Sequence, residues 1–291
     1  MPSGQIVAAM LHILWQLACL FSPGIYRTIV NLSLASRPAR KSTTTMKTFW
    51  PAAIEPVALS LAEAHLYAVP IDETSDRWVE LCTVLTPDER QRAAQFRVEP
   101  PRRRFVTARA ALRILLSRYL DLPPAAVTLS LSPNGKPRLG DQHRQSGLHF
   151  NVSHSGNMAL VVLARGCEVG VDVEQLRAVR HVQHIAKRYF HASEIEAILS
   201  APPAGQVAAF LRCWTGKEAV LKAIGMGITG SLAAFHVPNL NDEGAYVEVP
   251  THPHGRPTQI WLQQFMLSND YLAAVACADA LRKVRCFEFD A

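Results

Sequence analysis

No two of the six cysteines form a C-x-x-C pair; they stand singly at 19, 82, 167, 213, 277 and 286. That excludes the common zinc and thioredoxin-like motifs. Six cysteines in 291 residues are also too few for a disulfide scaffold. Isolated thiols suit a reducing compartment, so a cytoplasmic protein is expected. Charged residues are only 19% of the chain against 49% apolar, which excludes a disordered or fibrous polymer. There is no internal repeat, no low-complexity tract and no G-x-S-x-G nucleophile elbow. What remains is a globular chain long enough for one large domain or two small ones.

Acidic residues are missing altogether from residues 1–46, which hold Arg27, Arg37, Arg40 and Lys41. The apolar run from Ile6 to Phe21, broken by His12 and Gln16, has 16 residues, whereas a spanning helix needs about 20. No basic residue precedes it, and Ser22-Pro23-Gly24 is a poor cleavage site for a signal peptide. We expect either that Met46 is the natural start or that 1–46 is a loose extension, with an ordinary buried helix as the competing reading of the apolar run. No stable membrane association is expected. The chain as a whole carries +6, but four of those charges lie in 1–46, leaving 47–291 at +2. A general affinity for nucleic acid is therefore weakly motivated.

From there helices and short strands mix. Leu59–Pro70 reads as a strand. Thr86-Pro87-Asp88-Glu89 starts a helix to about Phe96, with a capping Thr, Pro in the first turn and acids after it. Pro100-Pro101 reads as an interruption. Arg102 to Leu120 follows as a longer helix, with Phe105, Leu112, Leu115, Leu116 and Tyr119 on one stripe. Leu129 and Leu131 suit a short strand, and Asn134-Gly135 a turn. His149–Val152 and Met158–Ala164 read as strands around a Ser-His-Ser-Gly turn, and Val169–Glu174 as another. Ser193 and Glu196 read as a capping box. Ala208 to Ile224 is a helix stopped by Gly225 and Gly227. Strands are expected at Ala245–Val249, Gln259–Met266 and Tyr271–Ala276, with a loop at 250–257. This mixture indicates an α+β or α/β class.

Several residue groups could carry chemistry. In Gly170-Val171-Asp172-Val173-Glu174 a strand places Asp172 and Glu174 on one face, where two carboxylates repel unless a cation sits between them. A hard divalent ion such as Mg²⁺ is the natural partner, and a solvated acidic edge is the competing reading. Trp214, Glu218 and Lys222 recur at i, i+4 and i+8 on one side of a helix. Glu218 before Lys222 is equally the favourable order for a helical ion pair. Phe150-Asn151-Val152-Ser153-His154-Ser155-Gly156 offers hydroxyls, an imidazole and amides to an anion. Arg102, Arg103, Arg104, Arg109 and Arg113 cluster at one helix start near Phe105 and Leu112, which suggests anion binding. Gly225-Met226-Gly227-Ile228-Thr229-Gly230 matches G-x-G-x-x-G but follows a helix, so it is a helix stop, not a dinucleotide loop. His252-Pro253-His254 and His181-Val182-Gln183-His184 lack a carboxylate or cysteine complement for a metal.

In this order the motifs resemble the 4′-phosphopantetheinyl transferase superfamily, in its monomeric Sfp-like branch. The pieces are Gly135-Lys136-Pro137, then Phe150 to Ser155, then Gly170 to Glu174, then Trp214-x-x-Lys217-Glu218-Ala219-x-x-Lys222. The last two, about 40 residues apart, are the specific signature. Arg104-Phe105 and Ala108-Arg109 look like the branch's N-terminal lobe. The resemblance covers about 86–230 and extends plausibly over 47–291.

The resemblance implies an α+β fold of two similar lobes related by a pseudo-twofold axis, 47–166 and 167–291, with the active site between them. It implies transfer of 4′-phosphopantetheine from coenzyme A to a Ser of an apo acyl or peptidyl carrier protein, giving 3′,5′-ADP. Asp172, Glu174 and Glu218 would hold Mg²⁺. Glu218 would also be the base for the carrier Ser, and Lys222 would stabilise the leaving group. Ser153 and His154 would hold the CoA phosphates, Lys136 would sit near the adenine and phosphate end, and Arg109, with Arg104, near the 3′-phosphate. Carrier proteins present an acidic helix beside their Ser, and the enzyme is expected to be a monomer. The competing readings are a non-catalytic relative that only binds carriers and a basic nucleic-acid-binding protein using Arg102–Arg113.

Overall fold

A computed structural model describes residues 50–51, 58–72, 76–225, 232–238, 244–250, 258–278 and 283–290. The 1–46 extension, Gly227 and Gly230, and His252 and His254 of the 250–257 loop lie outside the described residues. In chain order the elements are β1 (Glu63–Pro70), α1 (Arg77–Leu81), α2 (Pro87–Ala94), α3 (Glu99–Leu120), β2 (Leu129–Leu131) and β3 (Pro137–Leu139). Then come β4 (Leu148–Ser155), β5 (Met158–Arg165), β6 (Val169–Gln175), α4 (Val182–Tyr189), α5 (Ala192–Ser200) and α6 (Gln206–Ala223). The chain ends with β7 (Ala245–Val249), β8 (Thr258–Ser268), β9 (Tyr271–Cys277) and β10 (Lys283–Glu288). The class is α+β.

Two four-stranded sheets form, β10-β1-β5-β4 and β6-β9-β8-β7, with β2–β3 as a separate hairpin. The expected division near 166–167 falls in the turn between β5 and β6, at Gly166 with φ +73°. The last strand crosses that division: β10 returns to pair in parallel with β1, Glu63 opposite Lys283. Helix α3 lays Phe105, Leu112, Leu115 and Leu116 against Tyr67, Val161 and Leu163 of the first sheet. Helices α4 to α6 cover the second sheet, where Phe210, Trp214 and Val220 meet Leu262, Leu272 and Ala274. A third core joins Ala64, Leu66, Ala68, Leu160 and Val162 of the first sheet to Val169, Val171, Val173, Ala273 and Val275 of the second. Strand β5 is therefore buried on both faces, which is why Met158–Arg165 is almost continuously apolar where a half-exposed strand would alternate. Among the described residues no helix is long and apolar enough to cross a membrane.

The edge strands β4 and β6 come together without a shared main-chain ladder, since each belongs to its own sheet. Side chains bridge them instead. The Val171 N–H donates to Asn151 Oδ1 at 3.0 Å, and the Gln175 N–H donates to Ser155 Oγ at 3.1 Å. Asn151, Ser153 and Ser155 alternate at the strand period, so one face of β4 supplies all three to this seam.

Four local expectations need correction. Ser153, His154 and Ser155 lie within β4, and the turn is confined to Gly156-Asn157, with Gly156 at φ +55°. Pro100 and Pro101 do not break a helix. They occupy the first turn of α3, which begins at Glu99, where their missing N–H groups would be unpaired in any case. The cap of α5 is His191 with Glu194, not Ser193 with Glu196. The imidazole takes the acceptor role usually given to a hydroxyl, so a scan for Ser or Thr misses it. Finally, Lys283–Glu288 is a strand for which the sequence showed no signal of its own; its place comes from pairing with β1. The Thr86–Glu89 capping box forms as expected, with Thr86 N to Glu89 Oε2 at 3.0 Å.

Candidate active site

Strand β6 and helix α6 meet where the strand has no side chain. A Cβ on Gly170 would stand inside contact distance of the Ala219 carbonyl and the Ala223 amide, so the two backbones approach closely only because residue 170 is glycine. This approach brings Asp172 and Glu174 beneath Glu218 and Lys222, which flank Ala219 along the helix. All three carboxylates are buried, with exposures of 3%, 5% and 2% in that order. Gly170→Ala is expected to cost about 1–3 kcal/mol or more from overpacking against rigid backbone. It should also lower turnover at the site more than tenfold, by pushing strand and helix apart. Urea unfolding and steady-state kinetics on the same preparation test both effects.

Asp172 has its two oxygens differently engaged. Oδ1 accepts from Lys222 Nζ at 2.7 Å and from Ser153 Oγ at 2.8 Å. Oδ2 is buried with no hydrogen-bond partner. Glu218 Oε1 is in the same position. Glu174 Oε2 accepts from Ser155 Oγ at 2.8 Å. The ammonium of Lys222 also reaches the Val171 carbonyl at 3.1 Å and Ser153 Oγ at 3.2 Å. The helical Glu218–Lys222 ion pair that the spacing favours does not form; Lys222 goes across to β6.

Lys222 is in contact with Asp172 and Arg177 acts on Glu174 from further off, and burial outweighs both. Burial and the neighbouring carboxylates push Glu218 up to about 8 against the pull of Lys222, and burial with the charge of Asp172 pushes Glu174 up to about 7. Burial also raises Asp172, opposed by Lys222, Ser153 and the Val173 amide. Asp172 has the contact cation, so it takes the first negative charge, and the other two resist ionisation. A carboxylate whose folded pKa is raised binds protons in the native state that the unfolded chain has already lost. Its contribution to stability is therefore present below the unfolded value and lost as pH rises through the folded one. The metal-free protein is expected to unfold at a lower urea concentration at pH 9 than at pH 6, by at least about 1 kcal/mol. Equal midpoints would show that the carboxylates are not electrostatically crowded.

Two orphaned buried carboxylate oxygens in an all-oxygen donor set fit a hard divalent cation. Among the described residues no three His, Cys, Asp or Glu side chains already stand close enough together to hold a metal ion.

The residues expected to hold anions are distributed around this centre. Ser153 faces Asp172 across the seam. His154, the next residue, points the other way, toward the α3 side where Phe150 and Val152 pack. Burial, then the charges of Arg104 and Lys222, pull its pKa down to about 3, so it is neutral at physiological pH. That coupling places Arg104 and Lys222 within electrostatic reach of one imidazole. Lys136 is engaged at the lobe junction. It pairs with Glu168 Oε2 at 2.6 Å and with the Val169 carbonyl at 3.2 Å, while His149 Nδ1 meets the other Glu168 oxygen at 3.1 Å. These contacts, His149 first, hold Glu168 down at about 2. Asn134 of the same hairpin donates to the Gly225 carbonyl at 2.9 Å, so the Asn134–Lys136 turn ties the β2–β3 hairpin to the end of α6 and the start of β6.

Arg109 and Arg113 turn inward. Arg113 meets Glu89 through Nε at 2.6 Å and NH2 at 3.1 Å, and its NH1 caps the Pro124 and Val127 carbonyls. Arg109 NH1 lies 3.7 Å from Glu89. A single capping-box glutamate thus gathers two arginines that the sequence had counted toward a basic surface. Among the residues without an expected role, Ser155 and Lys217 are both buried and fully engaged, the first at the seam and the second beneath α6. Both stand inside quoted motifs. Their signal was there, but a hydroxyl or an ammonium in a motif does not reveal which neighbour it meets.

Comparison with known proteins gives a consistent picture. Residues 168–276 match the family described as the 4′-phosphopantetheinyl transferase superfamily. Residues 72–167 match a 4′-phosphopantetheinyl transferase N-terminal family. The chain is 40% identical over 166 residues to the 4′-phosphopantetheinyl transferase HetI of Nostoc, covering 57% of this chain and 70% of that one. It is 30% identical over 185 residues to the 4′-phosphopantetheinyl transferase psf-1 of Bacillus pumilus, covering 63% and 77%. A human protein, L-aminoadipate-semialdehyde dehydrogenase-phosphopantetheinyl transferase, is 26% identical over 212 residues, covering 68% and 69%.

Proposed function

The chain belongs to the 4′-phosphopantetheinyl transferase superfamily, and from this we infer how its own residues divide the reaction. It is an enzyme that transfers the phosphopantetheine group from coenzyme A to carrier proteins. The observation that carries the assignment of roles is the pair of orphaned carboxylate oxygens at the junction of β6 and α6.

In our reading the carrier Ser hydroxyl attacks the phosphorus bearing the pantetheine arm. A new P–O bond forms, the bond to the bridging pyrophosphate oxygen breaks, and 3′,5′-ADP leaves with that oxygen. Asp172, Glu174 and Glu218 would hold a Mg²⁺ ion, which when bound neutralises pyrophosphate charge. Glu218 takes the proton of the Ser hydroxyl, directly or through a water. Its raised pKa suits a group that must accept a proton near neutral pH. Lys222 begins the cycle with Asp172, Ser153 and Val171 and turns toward the leaving phosphate once coenzyme A brings negative charge into the cleft. His154 and Arg104 meet the nucleotide phosphates from the α3 side, Ser153 lies at the seam, and Lys136 lies at the β2–β3 turn near the adenine. Arg109 acts from behind them, through its contact with Glu89.

We further place the enzyme in the cytoplasm as a monomer, with its lobes divided at 166–167. The cysteines at 82, 213 and 286 are free thiols, which supports a reducing compartment. The inward turn of Arg109 and Arg113 leaves the nucleic-acid reading with less basic surface than the sequence implied. The deciding experiment is incubation with coenzyme A, Mg²⁺ and a panel of apo carrier proteins, read by mass spectrometry. A phosphopantetheine mass gain that EDTA abolishes is expected. Carrier binding without any mass gain would make the chain a non-catalytic relative.

A further inference from the structure

We propose that Ser155 is a positioning residue for the Glu174 carboxylate, so that the edge strand of the first sheet helps set the cation affinity of a site whose carboxylates all lie in the second lobe. The inference rests on the reading above in which Glu174 is a cation ligand.

Ser155 is fully buried, at 0% exposure. Its hydroxyl is held from two directions. It donates to Glu174 Oε2 at 2.8 Å and accepts the Gln175 N–H at 3.1 Å. The amide fixes where the oxygen sits, and the remaining O–H can then point only at the carboxylate. A glutamate has three rotatable side-chain bonds, and cation binding must otherwise freeze them. Here one oxygen is anchored before any cation arrives.

The support behind Ser155 is rigid. Gly156 follows at φ +55°, and a Cβ there would collide with Gln175 Oε1 and Tyr271 Oη. Asn157 N–H donates to that same tyrosine oxygen at 3.0 Å, and the Asn157 carbonyl accepts from the Ile71 amide at 2.9 Å. The end of β4 is thus pinned to β9 of the other sheet. Ser153 holds Asp172 in a parallel way, but it also touches Lys222, so changing it would disturb the site's own cation. Lys222 bonds to Ser153, Val171 and Asp172 and not to Ser155, so Ser155 isolates the positioning effect.

The test uses the full chain and Mn²⁺ as probe, with free Mn²⁺ read by electron paramagnetic resonance. The proteins compared are wild type, Ser155→Ala, Ser155→Cys and Glu174→Gln, each checked by thermal melting without metal. Loss of an outer partner of a metal ligand typically weakens binding about 10–100-fold. A weakening of that size is expected for Ser155→Ala, with KM for coenzyme A changed less than the Mn²⁺ dependence. Ser155→Cys keeps the volume with a much weaker donor and gives the same reading if the alanine variant does not fold. Wild-type Mn²⁺ affinity in the folded serine variants, with Glu174→Gln weakened, overturns the inference and leaves the cation-site reading standing. Absence of saturable Mn²⁺ binding in wild type, or no effect of Glu174→Gln, removes the reading and the inference together.

Discussion

Glu218→Gln is expected to reduce phosphopantetheine transfer by about 10³-fold while making the metal-free protein more stable at high pH. The two effects come from one fact, the 2% exposure of a carboxylate with an orphaned oxygen. Loss of a general base alone costs about 10²–10⁴ in rate. Loss of a carboxylate from the cation set adds to that. The stability effect has the opposite sign because the charge is expensive where it stands. Burial and the two β6 carboxylates hold Glu218 at about 8, so at pH 9 the wild-type protein must carry a charge that Gln lacks. At pH 6 the gain is smaller, and it vanishes only below the ordinary glutamate value, where the unfolded chain is protonated as well. A residue conserving only structure would lose stability and activity together. The measurement is a pair of melting curves at pH 6 and pH 9 beside a carrier-loading assay. Transfer within about tenfold of wild type removes Glu218 from the chemistry. A melting temperature that does not rise at pH 9 removes the charge-crowding argument.

Gain in stability on removing a functional group is the usual sign of a site built against the fold's own preference. Here the preference is visible in what the surrounding elements do. The strand face bearing Val169, Val171 and Val173 serves the inter-sheet core, while the face bearing Asp172 and Glu174 serves α6. The alternation that was read from Gly170 to Glu174 is therefore correct on both faces, and it was readable because a strand has period 2. The Glu218–Lys222 spacing was readable for the same kind of reason, through the helical period. Its partner was not. Lys222 goes instead to Asp172 on β6, and that choice depends on a contact separated by 50 residues.

The misses share that cause. Ser153, His154 and Ser155 looked like a turn because small polar residues favour turns. They lie in the strand, where Ser153 and Ser155 bridge a seam between two sheet edges that has no main-chain ladder. For Arg109 and Arg113, nothing in the sequence says that Glu89, 20 and 24 positions earlier, also meets them. β10 looked like nothing in particular, since a parallel strand is defined by a distant partner, here β1. The Thr86 cap was readable locally, whereas partners on a second segment were not.

The largest expected effect on stability lies one residue before Glu218. Lys217→Met should lower the unfolding free energy by about 3–5 kcal/mol, much of the margin of an ordinary domain. Lys217 is completely buried. Its ammonium donates to the carbonyls of Leu232 and Phe235, both at 2.6 Å, and stands 3.0 Å from Glu194 Oε1. It also lies 4.3 Å from the Phe235 ring centroid. Glu194 in turn accepts the amides of Val237 and His191. One ammonium therefore ties α6, the start of α5 and residues 232–237 together. Burial pulls its pKa down against the pull of Glu194, so the pair is held at a desolvation cost that the hydrogen bonds must offset. Removing only the lysine strands a buried carboxylate and two carbonyls. Removing the carboxylate charge as well, in Lys217→Met with Glu194→Gln, should recover part of the loss, and a double-mutant cycle by urea unfolding measures the coupling. Neighbouring helix positions point about 100° apart, so Lys217 faces the 232–237 segment while Glu218 faces β6. Anchoring one fixes the azimuth of the other. The double variant should thus remain slow in transfer even where its stability returns. Full recovery of both would show that Lys217 supports the fold without orienting the site.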